Sequence, residues 1–248
     1  MKTKLAAAAL LLASTSLSFA ADLAVKAPYA PAAVWSWTGF YLGGHVGAGW
    51  GTTESTVTSF TGAVPGLPAG VVLSQNDRSG FLGGGQFGYN WQSGWAVFGV
   101  QGDITGMDVK GTAPCLGALS CSAKSDWLAT VTGRIGGVVA DRTLVYAKGG
   151  AAWMHTNNTL SVPGVLSVSA DSTNVGWLLG LGAEYAFDHN WSAFIEYNYI
   201  DFDKKSIAMD FSGLAGAPST ANVDVKNKLS IAKIGVNYKF GGPVVAKY

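Results

Sequence analysis

The feature that most constrains this chain is a period-two alternation of apolar residues, beginning near Thr38 and recurring to Phe240. A strand sends successive side chains to opposite faces, so each such stripe is one face of a sheet. Even positions Phe40, Leu42, Val46, Ala48 and Trp50 make the first stripe. Trp127, Ala129, Val131, Ile135 and Val139 make another, as do Trp177, Leu179, Leu181, Ala183, Tyr185 and Phe187. Trp191, Ala193, Ile195, Tyr197 and Tyr199 follow, and Ala232, Ile234, Val236, Tyr238 and Phe240 end the series. The pattern predicts eight strands, at roughly 38–52, 79–91, 95–109, 125–139, 144–156, 172–187, 191–204 and 225–240.

The connections fall into two kinds. Gln92-Ser93-Gly94, Ala140-Asp141-Arg142-Thr143 and Asp188-His189-Asn190 are short and carry the residues that tight turns need. They recur about 48 residues apart, as hairpins would. The other four, near 53–78, 110–124, 157–171 and 205–224, are longer and rich in Gly, Ser, Thr and Pro. Short turns at one end and long loops at the other predict an all-β, eight-stranded antiparallel transmembrane up-and-down β-barrel.

Composition separates that barrel from a soluble sandwich. Charged residues are only 12 % of the chain, and mean hydropathy is +0.25. A water-soluble domain carries about twice that charge. Beyond the first twenty residues no apolar run reaches the ~18 residues a spanning helix needs, so strands must do the crossing. The aromatics agree. Trp50, Trp127, Trp153 and Trp177 fall on the apolar parity near the long-loop ends. Tyr89, Trp91, Tyr185, Phe187, Trp191, Tyr238 and Phe240 fall near the short-turn ends. Two belts with aliphatic residues between them match the two interfaces of a bilayer.

Lys2 and Lys4, an apolar run from Leu5 to Leu17 and the small-residue pattern Ser18-Phe19-Ala20 predict a cleaved export signal over 1–20. Residues 21–36, with Pro28 and Pro31, are expected to be a periplasmic tether. The barrel is expected over 37–240, and a periplasmic tail over 241–248. Cys115 and Cys121 lie between two strands of an exported chain. A disulfide is the simplest expectation, since no His lies near and the spacing is not C-x-x-C.

The opposite parity carries His45, Gln86, Gln101, Asp103, Arg134, Lys148, Glu184, Glu196, Asn198 and Lys233. The three acids Asp103, Glu184 and Glu196 balance Arg134, Lys148 and Lys233, so a polar network inside the barrel is expected. Eight strands enclose an interior just wide enough for side chains, and charges there need partners. Such a network reads either as a plug or as a narrow water path gated by the ion pairs.

Chemistry finds little footing. His45, His155 and His189 are scattered, and none has both a Ser and a carboxylate at a matching position. Glu184 and Glu196 sit inside a filled lumen. Gly83-Gly84-Gly85 and Gly47-Ala48-Gly49 open no helix and are not phosphate loops. No catalytic residue, metal site or cofactor is expected. The net charge of +1, with no basic cluster, excludes a nucleic-acid partner. Lys204, Lys205, Lys226 and Lys228 gather at the outer ends of the last two strands, where they are candidates to contact lipopolysaccharide phosphates. Asp201, Asp203, Asp210 and Asp224 lie among them, and a solvated mixed-charge rim is the alternative.

Trp37-Thr38-Gly39-Phe40-Tyr41-Leu42-Gly43-Gly44, following Ala21-Asp22-Leu23 and a Pro-containing spacer, resembles the entry to small alphaproteobacterial outer-membrane barrels. That family includes surface antigens and haemin-binding proteins and is related to OmpA-type eight-stranded barrels. Lys233 to Phe240 resembles the signal read by the barrel-assembly machinery, carried by Gly235, Tyr238 and Phe240, although eight residues follow it here. The resemblance covers essentially the whole mature chain. It implies a surface-exposed structural component of the outer membrane, with lipid, lipopolysaccharide and the assembly machinery as partners and an extracellular partner at the loops. A small pore or a haemin-binding receptor are the alternatives it leaves open, with His45, His155 and tyrosines as the ligands a haemin would find.

Overall fold

The computed structural model describes residues 35–62, 69–114, 120–140, 142–162, 166–210 and 220–241. The expected export signal, residues 21–34, Cys115 with its expected bond to Cys121, and residues 242–248 lie outside the described residues. The strands are β1 (Gly39–Thr61), β2 (Val72–Ser93), β3 (Ala96–Pro114), β4 (Ser120–Ala140), β5 (Thr143–Val162), β6 (Leu166–Ala186), β7 (Trp191–Phe202), β8 (Lys205–Asp210) and β9 (Thr220–Lys239). Each pairs antiparallel with its neighbour, and β1 closes the ring on β9 from Tyr41↔Lys239 to Thr61↔Thr220. The result is a ring of eight strands, with β8 continuing the line of β7 after a break at Asp203-Lys204 and pairing only with β9.

The register fixes the geometry of the cylinder. Following directly paired residues from Tyr41 leads through Gly88, Gln101, Thr132, Gly150, Leu178, Ile200 and Leu229, and returns to β1 at Gly51. The return point lies ten residues beyond the start (51 − 41). A stagger of ten over eight strands tilts the strands by about 40° and leaves a bore that side chains fill.

Tight turns close one end. Gly94, with φ 61°, supplies the left-handed residue of the β2–β3 turn, and the Val138 N–H donates to the Trp95 carbonyl at 2.8 Å. In the β6–β7 turn the His189 N–H donates to Asp188 Oδ1 at 2.6 Å, which holds that carboxyl below the usual carboxylate range.

Most strands are longer than the sequence pattern predicts, chiefly at the outer end, while the seventh stops at Phe202 and its line resumes as β8. β1 runs on for eleven residues from Trp50 to Thr61, so the wall rises roughly 28 Å above the upper aromatic belt. Most of what the sequence suggested as long loops is strand. The outward residues at that height include Glu54, Asp77, Asp108, Lys110, Lys124 and Asp126, a face that belongs in water.

Between the belts the outward face is apolar, with Phe81 at 82 % and Leu181 at 66 % exposure. Phe40, Tyr89 and Trp91 pack in series, edge-to-face or tilted, at 4.6 Å along the lower belt, continued by Trp191, Tyr238 and Phe240 edge-to-face at 5.1 Å. Trp50 on Tyr197, Trp177 on Tyr199 and Trp127 stacked on His155 mark the upper one.

Candidate functional site in the barrel lumen

Alternation sends every second residue inward, and the inward residues stack as layers. At the turn end, Trp37, Val97, Leu144, Tyr146 and Ala186 form an apolar floor, with Trp35 and Val138 against it. Trp35, the penultimate residue of the expected tether, packs edge-to-face on Trp37 at 5.8 Å. The Trp37 N–H donates to Gln92 Oε1 at 2.7 Å, and Lys239 lies over the Trp35 ring and bonds the Ser36 carbonyl.

Above the floor lies the ionic layer. Arg134 donates to Glu184 Oε2 at 3.2 Å and to Asn90 Oδ1 at 2.8 Å, with its guanidinium between the rings of Tyr41 and Tyr146. Ser192 and Asn237 donate to the other Glu184 oxygen at 2.6 and 2.7 Å. Lys148 lies 2.6 Å from Glu196 Oε1, and Lys233 lies 3.2 Å from the same oxygen and 2.5 Å from Asp103 Oδ2. Tyr146 and Asn198 complete the Glu196 shell at 3.0 and 2.7 Å. Thr105 donates to Asp103 at 2.7 Å and meets His45 Nε2 at 3.0 Å. Thus the six charged residues expected on the inward parity lie together, each buried and each with a counter-charge. Charge-assisted bonds of this kind compensate desolvation that isolated charges could not bear.

The network has no substrate space beside it. An enclosed cavity of about 10 Å³ sits between Asp103, Lys148, Asn198 and Lys233 below and Leu82, Leu128 and Leu178 above. That is room for one water. The next layer is apolar and dry: Leu82, Met107, Leu128, Met154, Leu178, Ile200, Phe202 and Leu229 pack across the bore.

A polar inward group stands above it, below the buried Val57, Val223 and Val225. Arg78 donates to Ser125 Oγ at 3.1 Å and Asn227 Oδ1 at 3.2 Å, among buried Thr53, Thr156 and Asn174. The sequence pattern, which starts the second strand at Ser79, gives no sign of it. The longer strand places Arg78 opposite Gly51, on the inward parity.

The four outer lysines do not form one cluster of free cations. Lys226 pairs with Asp201 at 3.6 Å, Lys228 stands opposite Asp201 in the ladder, and Lys205 donates to the Thr173 carbonyl at 3.4 Å. Lys204 is exposed at the break between β7 and β8. Of the residues expected to carry the assembly signal, Gly235 lies where a Cβ would meet the Gly44 carbonyl and the Phe194 ring, while Tyr238 and Phe240 pack edge-to-face outside. His45 is buried in the ionic layer and His155 lies on Trp127, so no two histidines come together.

The family model described as outer membrane protein beta-barrel domain matches residues 6–240. The 31 kDa outer-membrane immunogenic protein of Brucella melitensis is 32 % identical over 253 residues, covering 97 % of this chain and 100 % of that one. The 22 kDa outer membrane protein of Rhizobium leguminosarum is 29 % identical, covering 88 % of this chain and 83 % of its own length. Among solved structures, the outer membrane protein OprG of Pseudomonas aeruginosa superposes with a TM-score of 0.56 at 15 % identity, covering 84 % of this chain and 99 % of that one. The outer membrane protease OmpT of Escherichia coli superposes with a TM-score of 0.51 at 8 % identity, covering 83 % and 98 %. At such identities these two speak for the fold alone.

Proposed function

The chain belongs to the outer membrane protein β-barrel family, and from that premise we propose that it works as a closed, surface-exposed component of the outer membrane, not as an open pore or an enzyme. One observation carries this reading: the bore is crossed by three successive layers, an aromatic floor, a charge-balanced network and a dry apolar plate. Eight strands leave no aqueous channel once such layers are in place. Outside, the apolar band anchors the barrel in lipid, and the tall hydrophilic wall lifts the loops clear of the membrane to meet an extracellular partner. The Brucella relatives are named as immunogenic, in keeping with a surface presented outward.

At the outer rim Lys204, Lys205, Lys226 and Lys228 stand just above the Trp50 and Tyr197 level, where lipopolysaccharide phosphates lie. Changing all four to Glu is expected to abolish lipopolysaccharide binding, and unchanged binding removes the contact. Gly235, Tyr238 and Phe240 are proposed as the signal for the assembly machinery. The closed-bore reading is tested by the conductance of refolded mature protein in a planar bilayer. Silence or rare small flickers are expected; steady large steps would overturn it.

A further inference from the structure

Every cation of the ionic layer has a carboxylate within 3.2 Å: Arg134 has Glu184, Lys148 has Glu196, and Lys233 has Asp103. Arg78 has none among the described residues, although it is only 2 % exposed. Two of its nitrogens donate to neutral oxygens, on Ser125 and Asn227, and its Nε has no hydrogen-bond partner. The carboxylates near its height are on the outward parity: Asp77 is exposed, and Asp108, Asp126 and Asp201 pair with Lys110, Lys124 and Lys226. The apolar plate separates it from the acids below. A buried guanidinium in this setting is short of negative charge.

We propose that the outer lumen binds a compact anion at Arg78. The groups around the guanidinium suit that ligand. Thr53, Ser125, Thr156, Asn174 and Asn227 come from five strands, all buried, all neutral, and all able to turn an O–H or N–H toward an anion. Thr53 already donates to Asn227 Oδ1 at 2.8 Å, and Asn174 to Thr156 Oγ1 at 3.4 Å, so the ring is one connected set of donors. With one unpartnered guanidinium nitrogen among short neutral side chains, the site suits a halide or a small oxyanion. Beside Asn174 the Asp203 N–H bonds the Val175 carbonyl at 2.9 Å and Lys205 bonds the Thr173 carbonyl at 3.4 Å, with no β6–β8 ladder among the described residues.

The test uses refolded mature protein in detergent, following the midpoint of heat-induced loss of the compact electrophoretic form. Chloride, phosphate and the bulky anion gluconate are compared at equal ionic strength. Wild type is expected to melt several degrees higher in chloride or phosphate than in gluconate. A rise in chloride alone assigns a halide-sized site, and a rise in phosphate alone an oxyanion site. Asn227→Asp places a carboxylate 3.2 Å from the guanidinium without changing shape. It is expected to raise the midpoint in gluconate and to remove the anion dependence. Arg78→Met is expected to remove the dependence as well. General salt effects act alike on every variant. An equal anion shift in wild type and Asn227→Asp, no shift in wild type, or a lower midpoint in Asn227→Asp overturns the proposal, even if Arg78→Met fails to fold.

Discussion

Lys148 Nζ lies 2.6 Å from Glu196 Oε1, with the two side chains 1 % and 0 % exposed. Lys233 shares that oxygen but has a second acid in Asp103, whereas Lys148 has no other carboxylate within 4.0 Å among the described residues. Removing the Glu196 charge therefore strands Lys148 first. Glu196→Gln is expected to destabilise the barrel by about 3–5 kcal/mol, the cost of an uncompensated buried charge. Adding Lys148→Met to it should cost less than the two single changes together, because the stranded ammonium is gone. Urea unfolding in micelles measures both, and strict additivity would mean the pair is uncoupled.

Adjacent glycines give opposite expectations. A Cβ on Gly84 would run into the Ile104 carbonyl and the Thr105 backbone inside the wall. On Gly83, which faces lipid, the nearest atoms would be the His45 carbonyl at 3.6 Å and Val46 Cγ1 at 3.8 Å, ordinary contact distances. Gly84→Ala should cost about 1–3 kcal/mol or more through overpacking, while Gly83→Ala should leave unfolding unchanged. Similar losses at both would mean that the parity of β2 is wrong here.

Trp37 is 2 % exposed and closes the floor on Val97, Leu144 and Tyr146. Trp37→Ala is expected to cost about 3–5 kcal/mol, as for a large core truncation. A denaturant midpoint equal to that of wild type would mean that the Trp37 ring does not support the floor.

The floor, the plate and the outer ring differ in how far they could be read from the sequence. Between the belts, lipid demands an apolar outer face, so alternation is strong and the inward set from Asp103 to Lys233 follows from parity alone. Above the belt the outward face turns polar, and the inward one mixes polar residues with Val57, Val223 and Val225. Thr53 to Thr61 looks like loop, although Thr and Val suit a strand. Arg78 ends the same expected loop, one residue outside the expected strand. Which acid meets which base depends on register across strands, a long-range property; the bonding of Arg134 to Glu184 over 50 residues is an instance. The break at Asp203-Lys204 and the docking of Trp35 belong to the same kind of long-range information.

The position of the bilayer on the wall can be tested along a single strand. Leu181 lies four residues below Trp177 in β6, outward and 66 % exposed, between that belt and Tyr185. Asp171 lies six residues above Trp177 on the same parity and is also exposed. Arginine at the first site must sit in hydrocarbon and should cost about 2–4 kcal/mol in refolded vesicles. At the second it meets water, and the change should stay within about 0.5 kcal/mol. The contrast depends on immersion alone, since both sites point away from the lumen and their substitution breaks no ion pair found among the described residues. Equal costs at 181 and 171 would put both in one medium, and the tall outer wall would then have to lie inside the membrane.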